Sequence, residues 1–395
     1  MRKLAVALTA VAVLLAGGCR TGGDDPATGA GQFTRPIVIG LVGARSGAFA
    51  VHDTEQIAGM RRAIEEINAV GGIDGRPVEL ITADHGSDPT RVGAAARDVL
   101  NRGADVVVTS ADSELGAPAA LAARRENKVS VGGSDAPQFA LRGLGPLHFN
   151  LYQGGPTESV VLAQTAYGQR ARKPYLLVEA DNPAATALCA EFETAWERLA
   201  GEGSVAGRGT FTDLRRSLAG QVDRIRAADR ADALVLCADP GAGVDAIRQV
   251  RAARVKLPVY TGSGVDGVSW STVLPGLTNI YHPALVATAD DDPRPGVADL
   301  LATVPFTGSA RYALYGYLAV QTVARGVAQA GTATGPELAR ALESFQDEPL
   351  LVGPTSYSAV CHAPIGRPLT VLRVVGGRAV HFRTVPPADV PPTAC

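Results

Sequence analysis

Between Ile37 and Asp84 the hydrophobic period of the chain changes twice, and this alternation constrains the fold more than any other feature of the sequence. Ile37 to Val42 is a continuous apolar, β-branched run that empties into Gly43 and Ser46-Gly47, the pattern of a strand buried on both faces. Ile57, Met60, Ile64, Ile67 and Val70 then recur at spacings of three and four, which is one face of an amphipathic helix, and Gly71-Gly72 ends it. Val78 to Thr82 reads as a second strand. Strand, helix and strand within about fifty residues make a right-handed βαβ unit, which commits the chain to a parallel sheet covered by helices.

The rhythm continues downstream. Helical spacing over 89–102 leads to a strand at 105–109, a helix at 114–126 and a strand at 129–132, and the Pro- and Gly-bearing loop 134–147 closes a first block of four parallel strands. A second block follows Tyr152, with helices at 157–167, 184–200, 214–228 and 243–253 interleaved with strands at 174–180, 205–211, 233–238 and 258–262. The two blocks share architecture without sharing sequence. After a strand at 280–286 the pattern turns to helices at 297–301, 310–330 and 336–345, then to a hairpin around Gly376-Gly377. Such trailing elements cannot form a domain alone, so they are expected to pack back onto both sheets.

A chain of 395 residues is long enough for two such domains. Its one long apolar run, Leu4 to Ala16, is too short for the ~20 residues that a bilayer-spanning helix needs. That run follows Arg2-Lys3 and precedes Gly17-Gly18-Cys19, the layout of an export signal over 1–18. Its end resembles the lipobox of bacterial lipoproteins, which implies lipidation at Cys19 and an anchor in the cell membrane, although Ala16 stands where Leu is commonest. Residues 19–36, rich in Gly, Thr, Asp and Pro, then read as a disordered tether. A net charge of −2, with no Lys/Arg run, excludes a nucleic-acid footprint. Beyond Cys19 there are four cysteines, Cys189, Cys237, Cys361 and Cys395, which allow three disulfide connectivities in an exported protein. Spacings of the C-x-x-C type are absent, as are G-x-S-x-G, H-E-x-x-H and P-loop motifs, so no metal, cofactor or catalytic site is expected. His85, between Asp84 and Asp88, is too weak a cluster to alter that.

The segments IVIGLVGARSGAFA, AIEEINAVGGIDGRPVELITADHGSDPTRVGAAARDVL, ADVVVTSADSELGAPAALA and VSVGGSDAPQF, with the later Ala313 to Val327 helix and the VGPTSYS and VLRVVGG stretches, are similar to the leucine/isoleucine/valine-binding-protein family. These are substrate-binding lipoproteins of ABC transporters, and the resemblance covers roughly residues 36 to 382, with EEINAVGGIDGRPVEL its most specific part. It implies the type I periplasmic binding protein fold: an α/β protein of two Rossmann-like lobes, each a parallel sheet flanked by helices, joined by a three-crossover hinge that closes on a ligand. On that architecture lobe 1 is 37–150 plus 284–345, lobe 2 is 151–283 plus 346–385, and 386–395 is an irregular tail. Cys189 with Cys237, and Cys361 with Cys395, would then each pair within one lobe.

The resemblance also implies where a ligand sits, and the physics of parallel sheets agrees, because loops at the C-terminal strand ends face helix N-termini there. Ser46 and Phe49 after the first strand, Asp112 and Ser113 after the third, and Ser134 and Asp135 after the fourth form one wall. Tyr152, Asp239 and Ser263 face them from the first crossover and the second lobe. Several positions depart from the amino-acid-binding pattern. Asp112 and Asp135 stand where relatives place neutral hydroxyls, the family's Tyr-Gly falls on Ala184-Ala185, and its acid for the ligand ammonium falls on Ser263. Each aspartate can alternatively cap its own turn. The expected function is therefore that of a monomeric, extracytoplasmic, membrane-anchored protein without enzymatic activity, which hands a small polar molecule (amino acid, amide or amine-like) to an ABC permease. The alternative is a ligand-sensing or protein-binding regulatory lipoprotein built on the same fold.

Overall fold

The computed structural model describes residues 35–134, 139, 142–212, 217–228, 230–289 and 291–390. Cys19, Asp135 and Cys395, with the signal and all but the end of the tether, lie outside the described residues.

The opening apolar run becomes strand β1 (Ile37–Gly43), every residue of which is buried. It is followed by α1 (Ala50–Ala69), β2 (Val78–Asp84), α2 (Pro89–Asn101), β3 (Val106–Thr109), α3 (Ser113–Arg125), β4 (Val129–Gly132) and β5 (His148–Asn150). The strands pair in parallel in the order β2-β1-β3-β4-β5. This sheet has five strands where the hydrophobic pattern gave four. The extra one, HFN, is three residues long and begins and ends on polar side chains, so it carries no alternation to read. Helix starts follow local chemistry. The Asp88 and Asp112 carboxylates accept the first free N–H groups of α2 and α3, and Pro89 occupies a position whose missing N–H costs nothing.

The second sheet is built after α4 (Gly155–Gly168) from β6 (Pro174–Glu179), α5 (Pro183–Ala200), β7 (Gly207–Phe211), α6 (Ala219–Ala227), β8 (Ala233–Cys237), α7 (Pro240–Ala252), β9 (Val259–Thr261), a 3-10 turn at Ser263–Val265, α8 (Trp270–Val273) and β10 (Ile280–Ala284). The chain then adds α9 (Val297–Thr303), α10 (Arg311–Ala330), α11 (Gly335–Glu343), the small β11 (Glu348–Leu350) and β12 (Gly353–Thr355) pair, and the hairpin of β13 (Leu369–Val375) and β14 (Arg378–Val385). Strand order is β14-β13-β10-β9-β8-β6-β7, with the hairpin antiparallel to β10 and the rest parallel. Cys189 on α5 is joined to Cys237 at the end of β8, as their placement within one lobe suggests, and Cα atoms 5.8 Å apart permit it. The expected pairing of Cys361 with Cys395 falls on a residue outside the described ones.

Both sheets are covered on both faces, which is why their strands read as unbroken apolar runs. Ile37, Ile39 and Leu41 meet α1, α10 and α11 on one side, whereas Val42 and Val107 meet α2 and α3 on the other. The second sheet is sandwiched in the same way, by α4 and α5 on one face and α6 to α8 on the other. The chain passes between lobes after β5, after β10 and between β12 and β13. Leu350, Val352 and Tyr357 pack in the first core, so the stretch after 345 stays with lobe 1 and the last crossover comes later than the sequence-based boundary. A short polar-flanked hairpin gives no signal of which sheet it follows.

Helix α10 is seated on α1 at backbone distance. A Cβ added to Gly59 would overlap the carbonyl of Ala313, and one added to Gly316 would overlap that of Gln56. Two glycines, one per helix, thus let the helices cross closely and fix where the N-terminus of α10 points.

Candidate functional site

A cavity of about 200 Å³ opens at the C-terminal ends of β1, β3 and β4. The β1 loop and first turn of α1 supply Phe49, His52 and Asp53; the β3 loop supplies Ser110, Ala111, Asp112 and Ser113; and the β4 loop supplies Gly133 and Ser134. Tyr152 comes from the first crossover, and the α1–α10 crossing brings in Arg311, Tyr312 and Tyr315.

Each wall is held by hydrogen bonds that the protein makes with itself. Asn150, at the end of β5, clamps Ser134 at both ends: its Oδ1 accepts from Ser134 N at 3.0 Å and its Nδ2 donates to Ser134 O at 2.7 Å. The same Oδ1 accepts from Tyr152 N at 3.2 Å, so one buried amide sets two ligand-facing residues. Asp53 is 1 % exposed and accepts from Ala44 N at 2.6 Å and from the Ser110 hydroxyl at 3.0 Å. Burial is the main cause that pushes its carboxyl up to about 6, with Asp112 and Asp84 adding to it. Behind it His85 is wholly buried, its Nδ1 accepts from Ser87 N, and burial holds it below the usual imidazole range. Among the described residues no group of three or more His, Cys, Asp or Glu side chains is placed to hold a metal ion.

Aromatic rings make up much of the lining. The His52 and Tyr312 rings stack with centroids 4.0 Å apart, and Phe49 lies 6.0 Å from His52. Tyr315 lies flat against Gly133, where an added Cβ would come within 2.6 Å of the ring. Glycine there is a matter of space, and any larger residue would displace the ring.

A belt of polar contacts ties this wall to the second lobe. The Tyr152 hydroxyl donates to Glu158, whose other oxygen accepts from Ser263 N at 3.1 Å. Ser263 O accepts from Arg311 Nη2 at 2.5 Å, and the Ser309 hydroxyl donates to Asp266 at 2.5 Å. Burial raises both Tyr152 and Glu158 above their ordinary ranges. For Arg311 burial works against the charge, but Tyr315, Asp266, Tyr152 and Glu158 outweigh it and leave the guanidinium firmly protonated.

Of the residues singled out from sequence, Phe49, Asp112, Ser113, Ser134 and Tyr152 line the cavity. Asp112 also caps α3, its Oδ1 accepting from Glu114 N and Leu115 N at 3.0 Å. Three others are placed elsewhere. The Ser46 hydroxyl donates to Asp84 at 3.2 Å on an exposed loop, because the Gly47 turn directs it toward the β2 loop. Asp239 caps α7 through Ala242 N at 2.8 Å. Ser263 stands behind the cavity and acts through its backbone. Asp135 lies outside the described residues. Ser110, Ala111 and Gly133 belong to the two expected loops without having been singled out, and His52, Asp53 and the Arg311-Tyr312-Tyr315 group were not anticipated.

Two α/β lobes, three crossovers and a cavity at the strand ends of the first lobe describe a hinged ligand binder, and a family model described as periplasmic binding protein matches residues 36–378. The chain belongs to the periplasmic binding protein family. A putative branched-chain amino acid ABC transporter protein from Rhodospirillum rubrum has the same type I periplasmic binding protein fold, with a TM-score of 0.76 over 88% of this chain and 100% of that one at 20% identity. The Leu/Ile/Val-binding protein of Escherichia coli (strain K12) is 31% identical over 108 residues, which are 27% of this chain and only 29% of that protein. The Leu/Ile/Val-binding protein homolog 1 of Brucella melitensis is 24% identical over 83% of this chain and 87% of its own length. Among the described residues no helix is long and apolar enough to cross a membrane.

Proposed function

We propose that this chain is an extracytoplasmic solute-binding lipoprotein, anchored through Cys19, that closes on a small polar molecule and delivers it to an ABC permease without chemistry of its own. The observation that carries the reading is the cavity itself. It is lined by lobe 1 loops at the strand ends and by the start of α10, and it is belted to lobe 2 by the contact of Arg311 with Ser263. A hinge protein whose lobes meet beside its cavity couples occupancy to closure. The names of the relatives support amino acids as candidate solutes, and amides and amines are carried beside them from the departures in the sequence.

A solute that binds only the closed form stabilises the fold by about 2.7 kcal/mol at a hundred times its Kd, a rise of a few degrees in Tm. A thermal-shift screen of amino acids, amides, amines and small organic acids is expected to give such a rise for at least one class. A flat response to all of them would remove the support for a transport role.

A further inference from the structure

The polar groups of the cavity differ in what the protein has already given them. Each Asp53 oxygen already accepts one bond, from Ala44 N and from the Ser110 hydroxyl. Asp112 spends one oxygen on two N–H groups of α3. The Tyr152 hydroxyl is committed to Glu158. Arg311 has the most to spare. A guanidinium carries five N–H donors in a planar fork, and among the described residues only Nη2 is engaged, by Ser263 O. Beside one Asp112 oxygen and the His52 Nδ1, which are also unpaired, the largest unused capacity at this site is thus a set of charged donors, which suits an anionic, acceptor-only group; a carboxylate fits that fork in bidentate geometry. An ammonium finds less, since Asp53 is satisfied by neighbours and Asp112 is half committed to its helix.

The walls specify the rest of the solute. Phe49, His52, Tyr312 and Tyr315 line the same cavity as Arg311, and Gly133 leaves the Tyr315 ring room to lie against the backbone. Such rings pair well with another ring, by offset stacking or edge-to-face contact, which favours an aromatic or conjugated body.

Resting on the solute-binding reading above, we infer that the ligand is a small planar carboxylic acid, aromatic or conjugated, whose carboxylate is read by Arg311 and which needs no amino group. The test uses matched solutes on the purified protein, namely benzoate, benzamide, benzylamine, 3-phenylpropanoate and L-phenylalanine. Benzoate is expected to raise Tm, with benzamide and benzylamine silent and 3-phenylpropanoate at least as effective as L-phenylalanine. Arg311→Gln should weaken benzoate binding on the order of 10- to 100-fold by titration calorimetry, with Arg311→Lys between the two. Should the variants fold poorly, the wild-type comparison of benzoate with benzamide decides alone. Equal shifts from benzoate and benzamide, or binding of L-phenylalanine without 3-phenylpropanoate, would overturn this inference and leave the solute-binding reading standing. Silence toward every small solute would remove both.

Discussion

Replacing Gly59 by Val is expected to cost more than about 3 kcal/mol of stability and to remove solute binding as well. Helix propensity alone gives the opposite sign, because Gly in a helix interior is worse than Ala or Val. Space decides. Even a Cβ at Gly59 meets the Ala313 carbonyl, and the atoms it meets are all backbone of α10, so no rotamer change relieves the overlap. The helices must separate, and with them moves the start of α10, which carries Arg311, Tyr312 and Tyr315 into the cavity. Gly93, within α2, provides the contrast, since an added Cβ there meets only the flexible end of Arg97 at 3.6 Å. Gly93→Ala should therefore stabilise by about 0.5–1 kcal/mol, while Gly59→Ala destabilises. Urea unfolding of the two variants beside wild type gives the answer, and equal effects of the two substitutions would show that α1 and α10 do not cross at backbone distance.

The second large effect is a dependence of stability on pH that runs against the usual direction for a carboxylate. Most native carboxylates are held low and are stabilising once ionised; Asp53 is held up at about 6 against 3.8 in a free chain. Between those values the native state binds more protons than the unfolded state, so stability falls as the pH rises. The contribution is complete below about pH 4 and lost as the pH passes 6, and a rise from 3.8 to about 6 corresponds to about 3 kcal/mol. In Asp53→Asn the amide oxygen still accepts from Ala44 N and the amide nitrogen can donate to the Ser110 hydroxyl, but nothing titrates. Denaturant unfolding at several pH values between 4 and 7 should show the difference between wild type and Asp53→Asn widening as pH rises. Parallel curves would mean that Asp53 titrates as an ordinary surface carboxylate.

The fold was legible because its signals are local. The β-branched run of β1 and the three-and-four spacing of α1 each fix an element within one window, and short connections leave few topologies open. Elements without internal period escaped, β5 and the β11–β12 pair among them. The site was legible only where its residues follow strand ends. Asp112, Ser113 and Ser134 stand just beyond β3 and β4, and their place follows from the sheet. Arg311 and its tyrosines lie more than 150 residues from Tyr152 in sequence, and α10 looks like any amphipathic helix until Gly59 and Gly316 are seen to face each other's backbones. Asp53 reads as a first-turn acid of α1, and its burial is set by Ala44 and Ser110 from other segments. Asp239 and Ser46 illustrate the reverse case, polar residues at the right strand ends whose side chains serve their own loops.

The central claim is that a solute occupies the cavity beneath the start of α10, and filling that space tests it most directly. Ser113 is the first residue of α3 and lines the cavity, so Ser113→Trp places an indole where the solute would lie. Titration calorimetry of the strongest thermal-shift hit should give one site per chain in wild type and no measurable heat of binding in Ser113→Trp, with the unliganded Tm of the variant little changed. An unaltered Kd in the filled variant would place the solute elsewhere and contradict the account.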